Sequence, residues 1–222
     1  MTTGATTTAP PALRLLRFDA VQRGAHWLSA ALFATLVATA IPLYFGSLFG
    51  IVLPRHTVQM VHLYAGLALA VPVLVAALGP WGARLRRDVR RVNYWSRDER
   101  RWLATWGRAP LRAGKFNPGQ KLNAVGLAAI SIVLLVSGCM LQWFRFFAVT
   151  TRTGATFVHD LFAFVVVVVI VGHVALALAH PTAMRSMLRG WVPESWAAVH
   201  APAWLDEERN ADPGARRAQR GA

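Results

Sequence analysis

Two histidines lie within one long apolar stretch of the sequence. The stretch is TFVHDLFAFVVVVVIVGHVALALAHP, from Thr156 to Pro181. His159 and His173 lie inside it, fourteen residues apart, and a third histidine, His180, lies at its end. On a helix this spacing places the two side chains within about 40° of the same face and about 21 Å apart along the axis. Ionisable side chains inside a membrane span are costly and usually functional, and imidazole is a common ligand of haem iron. The spacing indicates either two stacked haem sites or two packed, hydrogen-bonded histidines.

Four apolar segments could form the helices that position these side chains. Each has close to the ~20 residues that a helical membrane span needs. They run roughly from Ala25 to Phe45, Gln59 to Gly79, Gln120 to Gln142 and Phe157 to Ala179. With 55% hydrophobic residues, the 222-residue chain is too apolar for an ordinary soluble domain. We therefore predict an all-α membrane protein, a bundle of four transmembrane helices.

The net charge of +14 is distributed unevenly along the chain. Twenty Lys and Arg residues fall on one side of the predicted spans, whereas only Arg55, Arg145 and Arg152 fall in the two opposite loops. The positive-inside rule then places both termini in the cytoplasm. Arg and Trp alternate between Pro80 and Ala113, a composition that also suits single-stranded nucleic acid. The flanking spans favour interfacial amphipathic helices on membrane lipid instead, and no nucleic-acid partner is expected.

The chain divides into one membrane domain and two short ends. We expect a disordered N-terminal segment over residues 1–16, the bundle over 17–205 and a mobile cytoplasmic tail over 206–222. The N-terminus lacks a basic start followed by an apolar core, so we expect the first span to act as its own insertion signal. Cys139, the single cysteine, lies inside the third span and is interpreted as a packing residue.

Alternating span directions allow the depths of the histidines to be compared. His62 and His159 fall near the outer surface, and His26 and His173 fall near the inner surface. Two depth-matched pairs favour bis-histidine ligation of two haems b over packing alone. The remaining histidines, which solvation or surface contacts explain, are His56, His180 and His200. The glycines that would allow close approach of a flat macrocycle are Gly24, Gly66, Gly126, Gly138 and Gly172.

Several short motifs point to a known family. They are RGAHW at His26, VHLYAG at His62, VHD at His159, GHVALALAH at His173, KFNPGQK before the third span and GWVPESWAAVHAPAW near the end. With these motifs the chain resembles the cytochrome b, or gamma, subunit of respiratory formate dehydrogenase. That subunit belongs to a wider group of di-haem cytochromes that also serves nickel-iron hydrogenases. The resemblance covers about residues 17–205.

The resemblance implies an electron-transport role in the bacterial inner membrane. Formate would be oxidised by a catalytic (alpha) subunit with molybdenum or tungsten, and an iron-sulfur (beta) subunit would pass the electrons to this chain. One haem iron would be bound by His62 and His159 on the outer side, and another by His26 and His173 on the inner side. The final acceptor would be menaquinone or ubiquinone.

The quinone pocket that the resemblance implies matches Asn117, Gly119 and Gln120 in KFNPGQK, near the inner haem. Amide side chains and a glycine-exposed backbone can hydrogen-bond a quinone carbonyl. The same residues are also typical of a turn at the start of a helix. Two residues depart from the family pattern: Pro118 inside the motif, and a single His200 where the family often has adjacent histidines.

The sequence contains no cysteine cluster for iron-sulfur, no nucleotide-binding loop and no catalytic triad. We therefore expect an electron-transfer and quinone-reducing subunit with no catalytic residues of its own. One alternative is the cytochrome b of a nickel-iron hydrogenase or of another molybdenum oxidoreductase. An alternative from another class is a proton-coupled transporter, in which the histidines would be proton relays.

Overall fold

The computed structural model describes residues 13–46 and 54–211, and nearly all of its regular structure is helical. The elements in chain order are β1 (Arg14–Leu16), α1 (Ala20–Tyr44), α2 (Arg55–Ala68), α3 (Val71–Leu78), α4 (Ala83–Asn93), α5 (Arg97–Ala104), α6 (Pro118–Gln142), α7 (Val149–Ala179), α8 (Pro181–Arg189), β2 (Trp191–Pro193), α9 (Glu194–His200) and α10 (Pro202–Ala211). Short 3₁₀ turns at Pro80–Gly82 and Phe144–Phe146 follow α3 and α6.

Four helical segments of the described chain are long and apolar enough to cross a membrane. They are Ala20–Tyr44, Arg55–Leu78, Pro118–Gln142 and Val149–Ala179. This confirms the predicted all-α bundle of four spans. Most of their apolar side chains are exposed or only partly buried in the isolated chain, as expected for surfaces that face lipid.

The second span is broken where the sequence predicts one continuous helix. Helix α2 ends at Ala68 and α3 begins at Val71. Pro72 has no backbone N–H to donate to the carbonyl of Ala68, and its ring crowds that carbonyl. The helix is therefore interrupted within the span and continues in a new segment.

The fourth span is longer than predicted. Helix α7 has 31 residues and begins at Val149 rather than Phe157. Its length of about 46 Å exceeds the ~30 Å of a bilayer's hydrocarbon core. The added turns carry polar side chains, and the hydroxyls of Thr153 and Thr156 donate to carbonyls one turn earlier. The helix ends before Pro181, as expected for a residue that precedes proline.

The spans pack as two hairpins, α1 against α2–α3 and α6 against α7. Two short helices, α4 and α5, connect the hairpins, and Ser96 caps the second of them in a capping box with Glu99. The buried pair of Lys121 and Glu99, 2.6 Å apart, fastens α5 to the first turns of α6. The connecting segment is therefore held against the same end of the bundle as the start of the third span.

A small sheet closes this end of the molecule, and the sequence does not predict it. Strand β1 pairs antiparallel with β2, with Leu15 opposite Val192. Val192 and Trp204 are fully buried in a cluster formed by β2, α9 and α10. Strands of three residues are too short to carry a recognisable period, which explains the omission. Within the described residues, regular structure runs from Arg14 to Ala211. Most of the N-terminal segment expected to be disordered (1–16) and of the tail expected to be mobile (206–222) lies outside the described residues.

Candidate functional site

The histidine pair expected near the outer surface is brought together between α2 and α7. The ring centroids of His62 and His159 lie 6.4 Å apart, with the ring planes inclined by 66°. Both side chains are partly buried. Two imidazoles from different hairpins thus face each other across the bundle.

The second pair lies between α1 and α7, toward the other end. The ring centroids of His26 and His173 lie 6.3 Å apart, with an interplanar angle of 57°. Trp27 packs edge-on against His26, with centroids 5.4 Å apart, and its indole N–H donates to the carbonyl of Met187 at 3.2 Å. This contact ties the start of α1 to α8 beside the histidine pair.

The separation of the rings fits a metal held between two axial imidazoles. A metal–imidazole bond is roughly 2 Å long, and the ring centre lies about 1 Å behind the bonding nitrogen. Two axial imidazoles on one iron therefore have centroids about 6 Å apart. Both pairs have this separation, 6.4 and 6.3 Å, so the residues present fit bis-histidine haem. Histidines that hydrogen-bond each other directly would lie closer together.

A hydroxyl on α1 orients His62. The Oγ1 of Thr39 lies 2.9 Å from the Nδ1 of His62. The same hydroxyl donates its single proton to backbone carbonyls of the preceding turn, that of Thr35 at 2.7 Å and that of Leu36 at 3.1 Å. Because the proton is already engaged, the oxygen accepts, and Nδ1–H of the imidazole donates. This tautomer leaves Nε2 with its lone pair free for a metal.

His159 is held in the same way by α6. The Oγ of Ser137 lies 3.0 Å from its Nδ1 and donates its own proton to the carbonyl of Val133 at 2.7 Å. A Cβ added at Gly138 would lie 3.2 Å from Cε1 of the ring, so this position allows the imidazole to lie against the helix. Of the glycines predicted to allow close approach, Gly138 makes the tightest contact with a histidine.

An amide on α6 contacts the second pair. The Nδ2 of Asn123 lies 3.3 Å from the Nδ1 of His173. The oxygen and nitrogen of an amide are interchangeable by a flip, so the amide oxygen can accept from an Nδ1–H here. Asn123 lies three residues beyond Gln120 on the same helix. It therefore links the KFNPGQK segment to the inner histidine pair.

The KFNPGQK residues form the start of α6. The Oδ1 of Asn117 accepts from the backbone N–H of Gln120 at 2.9 Å, and the Oε1 of Gln120 accepts from the backbone N–H of Asn117 at 3.1 Å. Pro118 occupies the first helical position, where its missing N–H costs nothing. This reciprocal cap uses only the amide oxygens. Asn117, Gly119 and Gln120 are exposed at the helix start, and the cap does not use the NH₂ groups of the two amides.

A buried charge cluster fixes the segment before this helix. The carboxylate of Asp88 accepts from Gln22 at 2.6 Å and from Arg91 at 2.9 Å, and it pairs with Lys115. Burial lowers the pKa of Lys115, although the Asp88 carboxylate opposes the shift. Burial likewise lowers the pKa of Arg17 to about 10, against the attraction of Asp88. One carboxylate thus serves several cations and joins α1, α4 and the KFNPGQK segment.

The other histidines and the cysteine lie away from the two pairs. His56 is exposed in the first turn of α2. His180 is exposed at the end of α7, and His200 stacks on Trp196 at 4.9 Å with the planes nearly parallel. Cys139 is a free thiol within α6. None of these four is adjacent to the paired histidines in the described contacts.

Sequence reasoning did not single out Thr39, Ser137 or Asn123. The available signal was a polar side chain inside an apolar span. Hydroxyls in membrane helices usually bond their own backbone, so this signal alone does not separate an orienting residue from an ordinary one. Asn123 had the clearer signal in the sequence, because an amide side chain inside a membrane span needs a hydrogen-bond partner.

The chain is similar to proteins whose names describe b-type cytochromes. The sequence model of a family described as prokaryotic cytochrome b561 matches residues 17–190. The formate dehydrogenase cytochrome b556(fdo) subunit of Escherichia coli K12 is 26% identical over 204 residues, covering 88% of this chain and 93% of that protein. The formate dehydrogenase cytochrome b556 subunit of Haemophilus influenzae is 26% identical over 203 residues, covering 88% of this chain and 84% of that protein. All four paired histidines lie within the matched range.

Proposed function

Because the chain belongs to the prokaryotic cytochrome b561 family, we propose that it is the cytochrome b subunit of a formate dehydrogenase in the bacterial inner membrane. In this proposal it binds two haems b and carries electrons from an iron-sulfur subunit, fed by a molybdenum or tungsten subunit, to menaquinone or ubiquinone. The observation that carries the proposal is the pair of facing imidazoles at each end of the bundle, 6.4 and 6.3 Å apart.

The haem supplies a carrier that gains and loses one electron without a proton-transfer step. The chain's own part is to hold the four imidazoles as ligands. Thr39 and Ser137 keep the Nδ1 nitrogens of His62 and His159 protonated, which leaves the lone pairs of the Nε2 nitrogens for a metal. Ligands fixed by such partners hold a metal more tightly than freely rotating ones. His26 and His173 form the corresponding pair nearer the cytoplasm in this orientation.

We place both termini in the cytoplasm, so electrons run from the outer histidine pair to the inner one. Support comes from the twenty basic residues on one side of the spans against three on the other. Asn117, Gly119 and Gln120 then lie at the cytoplasmic start of α6, one to two turns from Asn123 and its contact with His173. Their amide NH₂ groups are suitable donors to a quinone carbonyl.

The test of the main proposal is a redox spectrum of the complex purified in mild detergent. We expect the b-haem Soret and α bands to be reduced by formate, and iron-sulfur and molybdenum or tungsten subunits to copurify. Reduction by hydrogen and not by formate would make this chain a hydrogenase cytochrome b instead. A protein without reducible bands would overturn haem binding and favour a proton-coupled transporter.

The quinone pocket is tested with variants that keep the helix cap. Asn117→Ser and Gln120→Glu retain the capping oxygens but lack the amide NH₂ groups. We expect slower quinone reduction and weaker inhibition by quinone analogues, with both haems bound and still reduced by the donor subunit. The matched control is Gln142→Glu, the same substitution at the far end of α6. Normal rates and inhibitor sensitivity in both variants would limit KFNPGQK to capping.

A further inference from the structure

Two arginines lie at the same position relative to the two outer histidines. Arg55 precedes His62 by seven residues on α2, and Arg152 precedes His159 by seven residues on α7. Seven residues are nearly two helical turns, so each arginine lies within about 20° of its histidine's face and about 10 Å beyond it along the axis. The histidine rings face each other at 6.4 Å. The two arginines therefore lie on either side of the region just beyond the pair of His62 and His159, toward the end of the bundle.

The contacts of the arginines repeat the same arrangement in both hairpins. His62 bonds to Thr39 on α1, and the Nη1 of Arg55 lies 3.5 Å from the carbonyl of Leu43, one turn further along α1. In the other hairpin, the guanidinium of Arg152 lies 5.6 Å from the ring centroid of Phe144, two turns beyond Ser137. In both hairpins, the contact of the arginine therefore lies one or two turns closer to the end of the bundle than the contact that holds the histidine.

The positions of Arg55 and Arg152 are energetically unfavourable for three reasons. Arginine in the first turn of a helix opposes the helix dipole. Basic residues are disfavoured in loops that must be translocated to the outer side of the membrane. Arg55 and Arg152 are two of only three basic residues on the side that we assign as outer. In addition, the Nε of Arg152 is buried and has no hydrogen-bond partner among the residues that the structure describes. A buried donor without a partner costs about 1–3 kcal/mol. An anionic ligand would offset all three.

We propose that Arg55 and Arg152 bind the carboxylate groups of the outer haem. This rests on the proposed function. A haem bound between facing imidazoles carries two propionates on one edge, and carboxylates entering a bundle need charged, hydrogen-bonded partners. Guanidinium groups supply them in the paired geometry that carboxylates favour. Carboxylate and phosphate are both oxyanions that arginine binds. The alternative ligand of Arg55 and Arg152 is therefore the phosphate of an outer-leaflet lipid.

The arginines can be tested through the midpoint potential of the outer haem, measured by optical redox titration of the purified complex. The component that disappears in His62→Ala identifies this haem. Removal of a nearby positive charge disfavours the added electron, so Arg152→Gln and Arg55→Gln should shift the outer potential to more negative values and leave the inner one unchanged. The matched control is Arg145→Gln, an exposed arginine on the same side that lies 5.6 Å from the ring centroid of Phe146.

Each outcome decides the inference. If Arg152→Gln loses the outer haem, Arg152→Lys should restore it, because lysine keeps the charge; failure to restore it would overturn the role of the charge. An unchanged outer potential in both glutamine variants would also overturn the inference. Loss of copurifying phosphatidylglycerol with an unchanged potential would assign the arginines to lipid. If the wild-type complex contains no haem, the proposed function itself fails, whereas a two-haem protein with insensitive arginines refutes this inference alone.

Discussion

Replacement of Ser137 by alanine tests whether a hydroxyl on α6 holds His159 as a metal ligand. The substitution removes the Oγ that lies 3.0 Å from Nδ1 and adds no bulk. It leaves the backbone of α6 intact, because the hydroxyl only reinforces a carbonyl already bonded within the helix. The imidazole N–H of His159 then loses the acceptor that Ser137 provides.

The expected loss follows from the removed acceptor. A buried donor deprived of its partner costs about 1–3 kcal/mol, and the partial exposure of His159 keeps the cost in the lower part of that range. We expect the free energy of binding of the outer haem to be weakened by about 1–2 kcal/mol, which is about a 5- to 30-fold loss of affinity. Partners of metal-ligating histidines generally contribute about 10- to 100-fold.

The assay is transfer of haem from the detergent-solubilised complex to excess apomyoglobin. Changes in affinity are expressed mainly in dissociation, so the outer haem should leave about 5- to 30-fold faster from Ser137→Ala than from the wild type. The control is Ser131→Ala, which removes a hydroxyl with the same bond to the carbonyl one turn earlier, that of Leu127, on the same helix. Equal release rates from the two alanine variants would refute the proposed orientation of His159.

Three further predictions follow from the same geometry. Thr39→Val should accelerate loss of the outer haem because Thr39 orients His62, while Thr35→Val, which removes a hydroxyl bonded only to a carbonyl, should not; similar release from both would contradict the role of Thr39. Asp88→Asn should lower the free energy of unfolding in detergent by about 3–5 kcal/mol, because it leaves buried cations without their carboxylate. Asp206→Asn, in an exposed ion pair, should cost less than about 1 kcal/mol, and comparable losses would argue against the buried cluster. Alkaline phosphatase fused to the C-terminus should be inactive, since we place that end in the cytoplasm; an active fusion would reverse the orientation.

The spans and the histidine pairing could be predicted because both depend on simple periodicities. Apolar length identifies a span, and a fourteen-residue separation keeps His159 and His173 on one face of α7. Alternating span direction then matches each with a histidine of similar depth. The structure brings together the same pairs, His62 with His159 and His26 with His173.

The orienting residues could not be predicted in the same way. Thr35 and Thr39 both place a hydroxyl on the carbonyl of an earlier turn of α1, yet only Thr39 also meets a histidine. Which of them does so depends on the rotation of α1 against α2, and this is a property of packing that no local pattern contains. The pairing of β1 with β2 was missed for a related reason, since it joins residues far apart in the chain.

The KFNPGQK segment is compatible with both interpretations made from the sequence, a helix start and a quinone site. The helix-start interpretation is realised by the reciprocal cap of Asn117 and Gln120. The quinone hypothesis stays a prediction, and the cap does not oppose it because an amide offers an acceptor and two donors separately. Only variants that separate these two roles can distinguish structural capping from quinone binding.

The haem content of the purified protein tests the central claim most directly. Pyridine haemochrome analysis against protein concentration should give two haems b per chain for the wild type and for His56→Ala, whose exposed side chain belongs to neither pair. We expect His62→Ala and His173→Ala to contain one haem each, with the remaining haem still low-spin. Two low-spin haems in either of these variants would contradict the assignment of the histidine pairs as iron ligands.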